Sequence, residues 1–124
     1  MKKHILIVDD EAVIRDLLTE FLTFSDYRVT AVGMAREAKE IVRRDPPELV
    51  ISDLQLEDSD GLLMIEQLKA SNKDLPVILL TGVLFDPHVI EGTLSKKVSA
   101  YLPKTSPLSR ILSEVQRLIG RSAT

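Results

Sequence analysis

The chain has 124 residues, 16 Lys plus Arg against 19 Asp plus Glu, 44% hydrophobic residues and no Cys. That balance describes one globular domain and excludes a disordered chain, disulfides, thiolate catalysis and zinc–thiolate sites. A net charge of −3 counts against a general nucleic-acid binder, and no apolar stretch approaches the ~20 residues of a membrane helix.

The opening Met1-Lys2-Lys3-His4 has the flavour of a signal peptide, but the apolar run behind it, Ile5-Leu6-Ile7-Val8, is only four residues before Asp9-Asp10-Glu11. No secretory core fits there, and the lack of Cys is compatible with a reducing cytoplasm. The run itself predicts a strand covered on both faces, as do Leu49-Val50-Ile51 and Val77-Ile78-Leu79-Leu80. Residues 27–32 alternate and predict an outer strand; Ala100-Tyr101-Leu102 predicts a short fifth one.

Helical spacing fills the gaps. Val13, Ile14, Leu17, Leu18, Phe21 and Leu22 form a stripe that ends near Ser25-Asp26, and Phe24 and Met34 are assigned to packing. Ala35, Ala38, Ile41 and Val42 form a second stripe, stopped by Asp45-Pro46-Pro47. Leu62, Ile65 and Leu68 step behind a candidate N-cap at Asp60. Asp86-Pro87 would open a further helix, weakened by Gly92. Leu108, Ile111, Leu112, Val115, Leu118 and Ile119 form the last. Five βα units with short connections predict parallel strands and right-handed crossovers, an α/β three-layer sandwich. The globular unit is expected over residues 1–120, with 121–124 a tail or linker stub.

Ligands of such sheets bind beyond the carboxyl ends of the strands. There stand Asp9, Asp10 and Glu11 after strand one, Asp53 after strand three, Thr81 ending strand four and Lys104 after strand five. Carboxylates ~5 Å apart repel by about 3 kcal/mol at an effective dielectric of ~20, so the cluster must raise a pKa or recruit a cation. With oxygen donors only, a hard cation such as Mg²⁺ is expected. Lys104 suits phosphate oxygens as a point charge, and Thr81 offers them a hydrogen bond. The set suits phosphoryl transfer to or from a carboxylate. Singly, each signal has a plainer explanation: a solvated turn at Asp9-Asp10-Glu11, a surface charge at Lys104, a packing role for Tyr101. Their convergence on one sheet edge is what carries the chemistry.

Ile5-Leu6-Ile7-Val8-Asp9-Asp10-Glu11, Ser52-Asp53 with Asp60-Gly61, Leu80-Thr81-Gly82 and Tyr101-Leu102-Pro103-Lys104 together resemble the signature set of response-regulator receiver domains, in order and spacing over nearly the whole chain. The resemblance implies a doubly wound, flavodoxin-like sheet in order 2-1-3-4-5. It implies Asp53 as phospho-acceptor, Mg²⁺ held by Asp10, Asp53 and the main-chain carbonyl of Gln55, with Asp9 acting through water. Thr81 and Lys104 would contact the phosphoryl group. Thr81 and Tyr101 would switch the surface made by the helix after strand four, strand five and the last helix. It further implies a cytoplasmic domain that turns over no external substrate. A histidine kinase or histidine phosphotransfer protein would supply the phosphate. The output would be a downstream protein target or an output domain, with homodimerisation on phosphorylation as a further mode, and neither nucleic acid nor membrane as a direct partner.

The pattern is departed from in three places, the first being the stretch from Thr81 to Lys104, which is about one residue longer than usual and carries Val83-Leu84-Phe85 and Gly92 where the fourth helix is expected. Glu57 stands where the family commonly has Pro. Thr105 stands where it commonly has Pro in a cis peptide; a cis bond before Thr costs ~3 kcal/mol, so the loop either keeps that bond or runs differently. The Thr105 and fourth-helix departures motivate a rival, a receiver-like interaction module whose output does not depend on phosphorylation. A flavodoxin-like nucleotide binder is disfavoured because the first βα loop has no Gly-rich cradle. An aspartyl phosphatase would need Asp-x-Asp at a strand end, and Asp58-Ser59-Asp60 lies in a loop.

Overall fold

The computed structural model describes residues 2–82 and 98–121. Every residue of β1 (His4–Val8) is buried, as the unbroken apolar run requires. After it come α1 (Ala12–Phe24), β2 (Arg28–Val32), α2 (Ala35–Arg44), β3 (Leu49–Ser52), α3 (Gly61–Ser71), β4 (Val77–Thr81), β5 (Ala100–Pro103) and α4 (Leu108–Ile119). The strands form one parallel sheet in the order β2-β1-β3-β4-β5, as the resemblance implies. The helix expected at Asp86-Pro87 lies outside the described residues, as do Gly92, His88 and Lys96-Lys97.

The two-residue period of a strand divides the core. Leu6, Val8, Val50, Val77 and Leu79 face one way, onto Ala35 and Ala38 of α2 and Met64, Ile65 and Leu68 of α3. Ile5, Ile7, Leu49, Ile51, Ile78, Leu80 and Leu102 face the other, onto Leu18 and Leu22 of α1 and Ile111 and Val115 of α4. Each fully buried Val, Leu, Ile or Met among them contributes ~1.5–3 kcal/mol. Val8 is level with Ser52 in the β1–β3 register, so the first and third strands end side by side.

The start of α3 is fixed as expected: Asp60 accepts a hydrogen bond from Leu62 N at 2.7 Å. At the end of α1, Asp26 takes a positive φ of 71° where the stripe was expected to stop. The apolar stripe of α1 is wider than the face it buries. Leu18 and Leu22 seat on the sheet, whereas Val13 and Phe24 are 76% and 88% exposed. The assignment of Phe24 to packing is therefore corrected: it is the last residue of the helix, beyond the Leu18–Leu22 contact. Strand two starts at Arg28 rather than at Tyr27, whose buried hydroxyl donates to the Gly120 carbonyl at 2.7 Å. Among the described residues no helix is long and apolar enough to cross a membrane.

Candidate functional site

The parallel ladder runs one residue past β1 and β3. Asp9 N donates to Val32 O at 3.1 Å and Asp53 N to Val8 O at 3.0 Å. These bonds set two carboxylates next to each other just beyond the strand ends, and both residues are buried. Asp10 and Glu11 follow in the exposed turn into α1. Glu11 N donates to Asp9 Oδ1 at 2.8 Å, while the Glu11 side chain makes no cap for the helix that it precedes. Asp9, Asp10, Glu11 and Asp53 each offer an oxygen within 4.8 Å of the others.

Lys104 enters this cluster from the turn after β5. Its main-chain N donates to Thr81 O at 2.9 Å, which carries the β4–β5 pairing past Pro103. Its Nζ lies 2.8 Å from Asp53 Oδ2, 3.1 Å from Asp9 Oδ2 and 2.5 Å from Glu11 Oε1. Among the described residues no peptide is cis, so Lys104–Thr105 is trans and the lysine reaches the acids without the bond common at that position.

Of the two outcomes expected of crowded carboxylates, a cation is present in Lys104, whereas the raised Asp9 carboxyl owes more to burial than to its neighbours. Burial pushes the Asp9 carboxyl above its ordinary value, against the lowering effect of the Glu11 amide and Lys104. Burial also works against the Lys104 charge, yet hydrogen bonds to Asp53, Glu11 and Asp9 outweigh it and hold the ammonium above the usual lysine range. An ammonium already serves as the cluster's counter-ion.

The other expected residues surround this centre. Thr81 is buried at the end of β4. Tyr101 is half-buried on β5 and packs against the core on the α2–α3 side of the sheet. Gln55 is exposed; it pairs with Asp60 across the loop, and its N–H makes a long 3.4 Å contact with Asp53 Oδ1. Gly61 permits the loop to close. A Cβ there would sit 2.2 Å from the Asp53 carbonyl oxygen and 2.6 Å from that of Leu54.

Two contacts had no role in the reading of the sequence. Arg15 Nη1 donates to the Asp9 carbonyl at 2.6 Å, pinning the main chain beside the cluster. Its contact is with a main-chain carbonyl six residues back, which no side-chain spacing in the sequence marks. Asp58 hydrogen-bonds the first two N–H groups of α2, and nothing in its local sequence marks that.

The donor set is carboxylate oxygen throughout, without His or sulfur, and it fits a hard divalent cation better than a transition metal.

Comparison with known proteins agrees with this architecture. The family described as the response regulator receiver domain matches residues 5–116. Response regulator MprA of Mycolicibacterium vanbaalenii is 32% identical over 122 residues, which are 98% of this chain and 52% of that protein. The chain thus spans about half the length of the curated relatives it matches. A CheY-like receiver domain protein of Methanospirillum hungatei superposes with a TM-score of 0.86 at 25% identity, covering 94% of this chain and 93% of the other. The BeF3-activated N-terminal receiver domain of Klebsiella pneumoniae RstA gives 0.84 at 27% identity, covering 94% and 97%. The chain belongs to the response regulator receiver domain family, the receiver component of two-component signalling. Receiver domains are not enzymes in the ordinary sense.

Proposed function

We propose that the domain accepts a phosphoryl group on Asp53 and uses it as a signalling state. The observation that carries this reading is Lys104 Nζ, 2.8 Å from Asp53 Oδ2 and 3.1 Å from Asp9 Oδ2 at the carboxyl edge of the sheet.

A carboxylate oxygen of Asp53 attacks the phosphorus of a phosphohistidine on a histidine kinase or histidine phosphotransfer protein. The O–P bond forms as the N–P bond breaks, and the departing imidazole keeps the electron pair and takes up a proton. Mg²⁺, held by Asp10, Asp53 and the Gln55 main-chain carbonyl and by Asp9 through water, would supply charge stabilisation for the phosphoryl oxygens. Lys104 leaves Asp9 and Glu11 for a phosphoryl oxygen, to which Thr81 donates its hydroxyl. Tyr101 then turns into the space that Thr81 vacates, changing the surface that β5 and α4 present. Water returns the acyl phosphate to carboxylate and phosphate.

Residues 1–120 make up the receiver, with 121–124 as tail or linker stub. The compartment is the cytoplasm, where the phosphohistidine donor would meet it. The output is a protein target, an attached output domain or a homodimer formed on phosphorylation.

The test is incubation with Mg²⁺ and acetyl phosphate or phosphoramidate, followed by intact mass. A gain of one phosphoryl group, lost in Asp53→Asn, is expected. No gain from either donor overturns acceptance and favours the phosphorylation-independent interaction module.

A further inference from the structure

The loop of residues 54–60 joins the acceptor strand to α3, and it contains neither Pro nor Gly. No residue type in it restricts or frees the backbone, so hydrogen bonds must set its shape. Leu56 N donates to Ser59 O at 3.2 Å, Gly61 N donates to Leu54 O at 2.7 Å, and Gln55 pairs with Asp60. These bonds close the loop on itself, and buried Leu56 with half-buried Leu54 seats its first half on the core; the second half, exposed at Glu57 and Asp58, needs a polar tie.

Asp58 supplies that tie. Its Oδ1 accepts from Ala35 N at 2.8 Å and its Oδ2 from Arg36 N at 3.2 Å, one oxygen for each of the first two residues of α2. Met34, which precedes that helix, supplies no side-chain cap of its own. The helix start is thus satisfied by a carboxylate from a distant loop, in the favourable sense of the helix dipole. The Ala35 amide, with Arg36, holds the Asp58 carboxyl below the usual carboxylate range. At the other end of the same loop, Gln55 N reaches Asp53 Oδ1 at 3.4 Å.

We infer that Asp58 is a positioning residue for phosphoryl acceptance: by docking on α2 it sets where the Gln55 main chain stands against Asp53. The inference rests on the acceptor reading above and deepens it. Supporting groups behind a metal or acceptor ligand govern its affinity in this way.

The test uses the full 124-residue chain and the variants Asp58→Ala and Asp58→Asn. Mg²⁺ affinity is measured by titration calorimetry well below every melting midpoint, and the rate of acceptance from acetyl phosphate at saturating Mg²⁺ by intact mass. Asp58→Ala is expected to weaken Mg²⁺ binding by about 3- to 10-fold and to slow acceptance by a similar factor. Asp58→Asn keeps an acceptor oxygen for Ala35 N and recovers part of both. A lower midpoint with unchanged Mg²⁺ affinity and rate overturns the inference, because a residue that only stabilised α2 would behave so. Should Asp58→Ala not fold, Asp58→Asn and Asp58→Ser decide between the same two results. A parent chain that binds Mg²⁺ but accepts no phosphate overturns the acceptor reading; a weakened Asp58→Ala in the calorimeter then upholds the placing of the Gln55 main chain for Mg²⁺ and overturns its part in acceptance. A parent chain that does neither overturns both.

Discussion

Lys104 Nζ stands 2.8 Å from Asp53 Oδ2, an ammonium placed against the carboxylate that would accept a phosphoryl group. The two side chains are 11% and 9% exposed, so water does little to stabilise either if the other is lost. Losing one partner of such a pair costs more than forming the pair gains.

Lys104→Met is therefore expected to destabilise the metal-free protein by about 3 kcal/mol. Added Mg²⁺ should then raise the variant's melting midpoint more than the parent's, because it replaces a missing positive charge. Calorimetric melts in chelator and in Mg²⁺ check both, and acceptance from acetyl phosphate should fall in the same variant.

Removing a negative charge should act in the opposite sense. Asp10 is exposed and shares the 4.8 Å cluster with three other acids, and Asp9 is buried with a raised carboxyl pKa. Asp9→Asn is expected to stabilise the protein in chelator by about 1 kcal/mol, chiefly through relief of desolvation, and Asp10→Asn to stabilise it more weakly through relief of repulsion. Both should weaken Mg²⁺ binding. Melting midpoints equal to or below the parent's in chelator would count against a repulsive cluster.

Gly61→Ala tests the close approach of α3 to the acceptor. Its new Cβ would meet the Asp53 carbonyl oxygen at 2.2 Å, and backbone cannot yield as a flexible side chain does. A loss of about 3 kcal/mol is expected from urea unfolding, together with slower acceptance, since the residue that must shift is Asp53 itself.

At the opposite edge of the sheet, His4 gives a pH dependence independent of the acidic cluster. It is buried, its Nε2 lies 2.8 Å from Thr30 Oγ1, and its Nδ1 makes no hydrogen bond among the described residues, with Asp45 Oδ1 3.8 Å away. Burial and then Arg28 depress its pKa below 6.5, while Asp45, the Pro46 backbone and Glu48 oppose them. The unfolded chain takes up the proton first as pH falls. Stability is thus complete above the unfolded pKa of 6.5 and declines as pH drops through the folded value. Asp45 and Asp58, whose pKa values are lowered from 3.8, lose stability only in a more acidic window. Urea midpoints measured between about pH 7.5 and about pH 5 should fall in the parent and stay flatter in His4→Gln, which leaves nothing to protonate there.

Strand positions and the converging polar residues were legible because β1, β3 and β4 are unbroken apolar runs whose ends are marked by charge or hydroxyl. Lys104 could be placed from its position after β5 alone. Its three partners, and the trans peptide that presents it, depend on the loop's path in space. Contacts across long sequence separations left no local trace: Asp58 with Ala35, Tyr27 with Gly120, Arg28 with Asp45. Helical spacing put Val13 and Leu17 in the apolar stripe, and Phe24 was assigned to packing, without saying that α1 turns all three outward. That depends on where α4 and the sheet leave room.

The three arms of Lys104 differ in their contact with solvent. The Glu11 side chain is 58% exposed, against 3% for Asp9 and 9% for Asp53. Dissolved ions reach the outer arm and scarcely reach the inner two. Raising ionic strength therefore loosens the grip from the rim inward, leaving the lysine tethered to its two deep neighbours. Brine should slacken the mouth of the cleft long before it unsettles the floor.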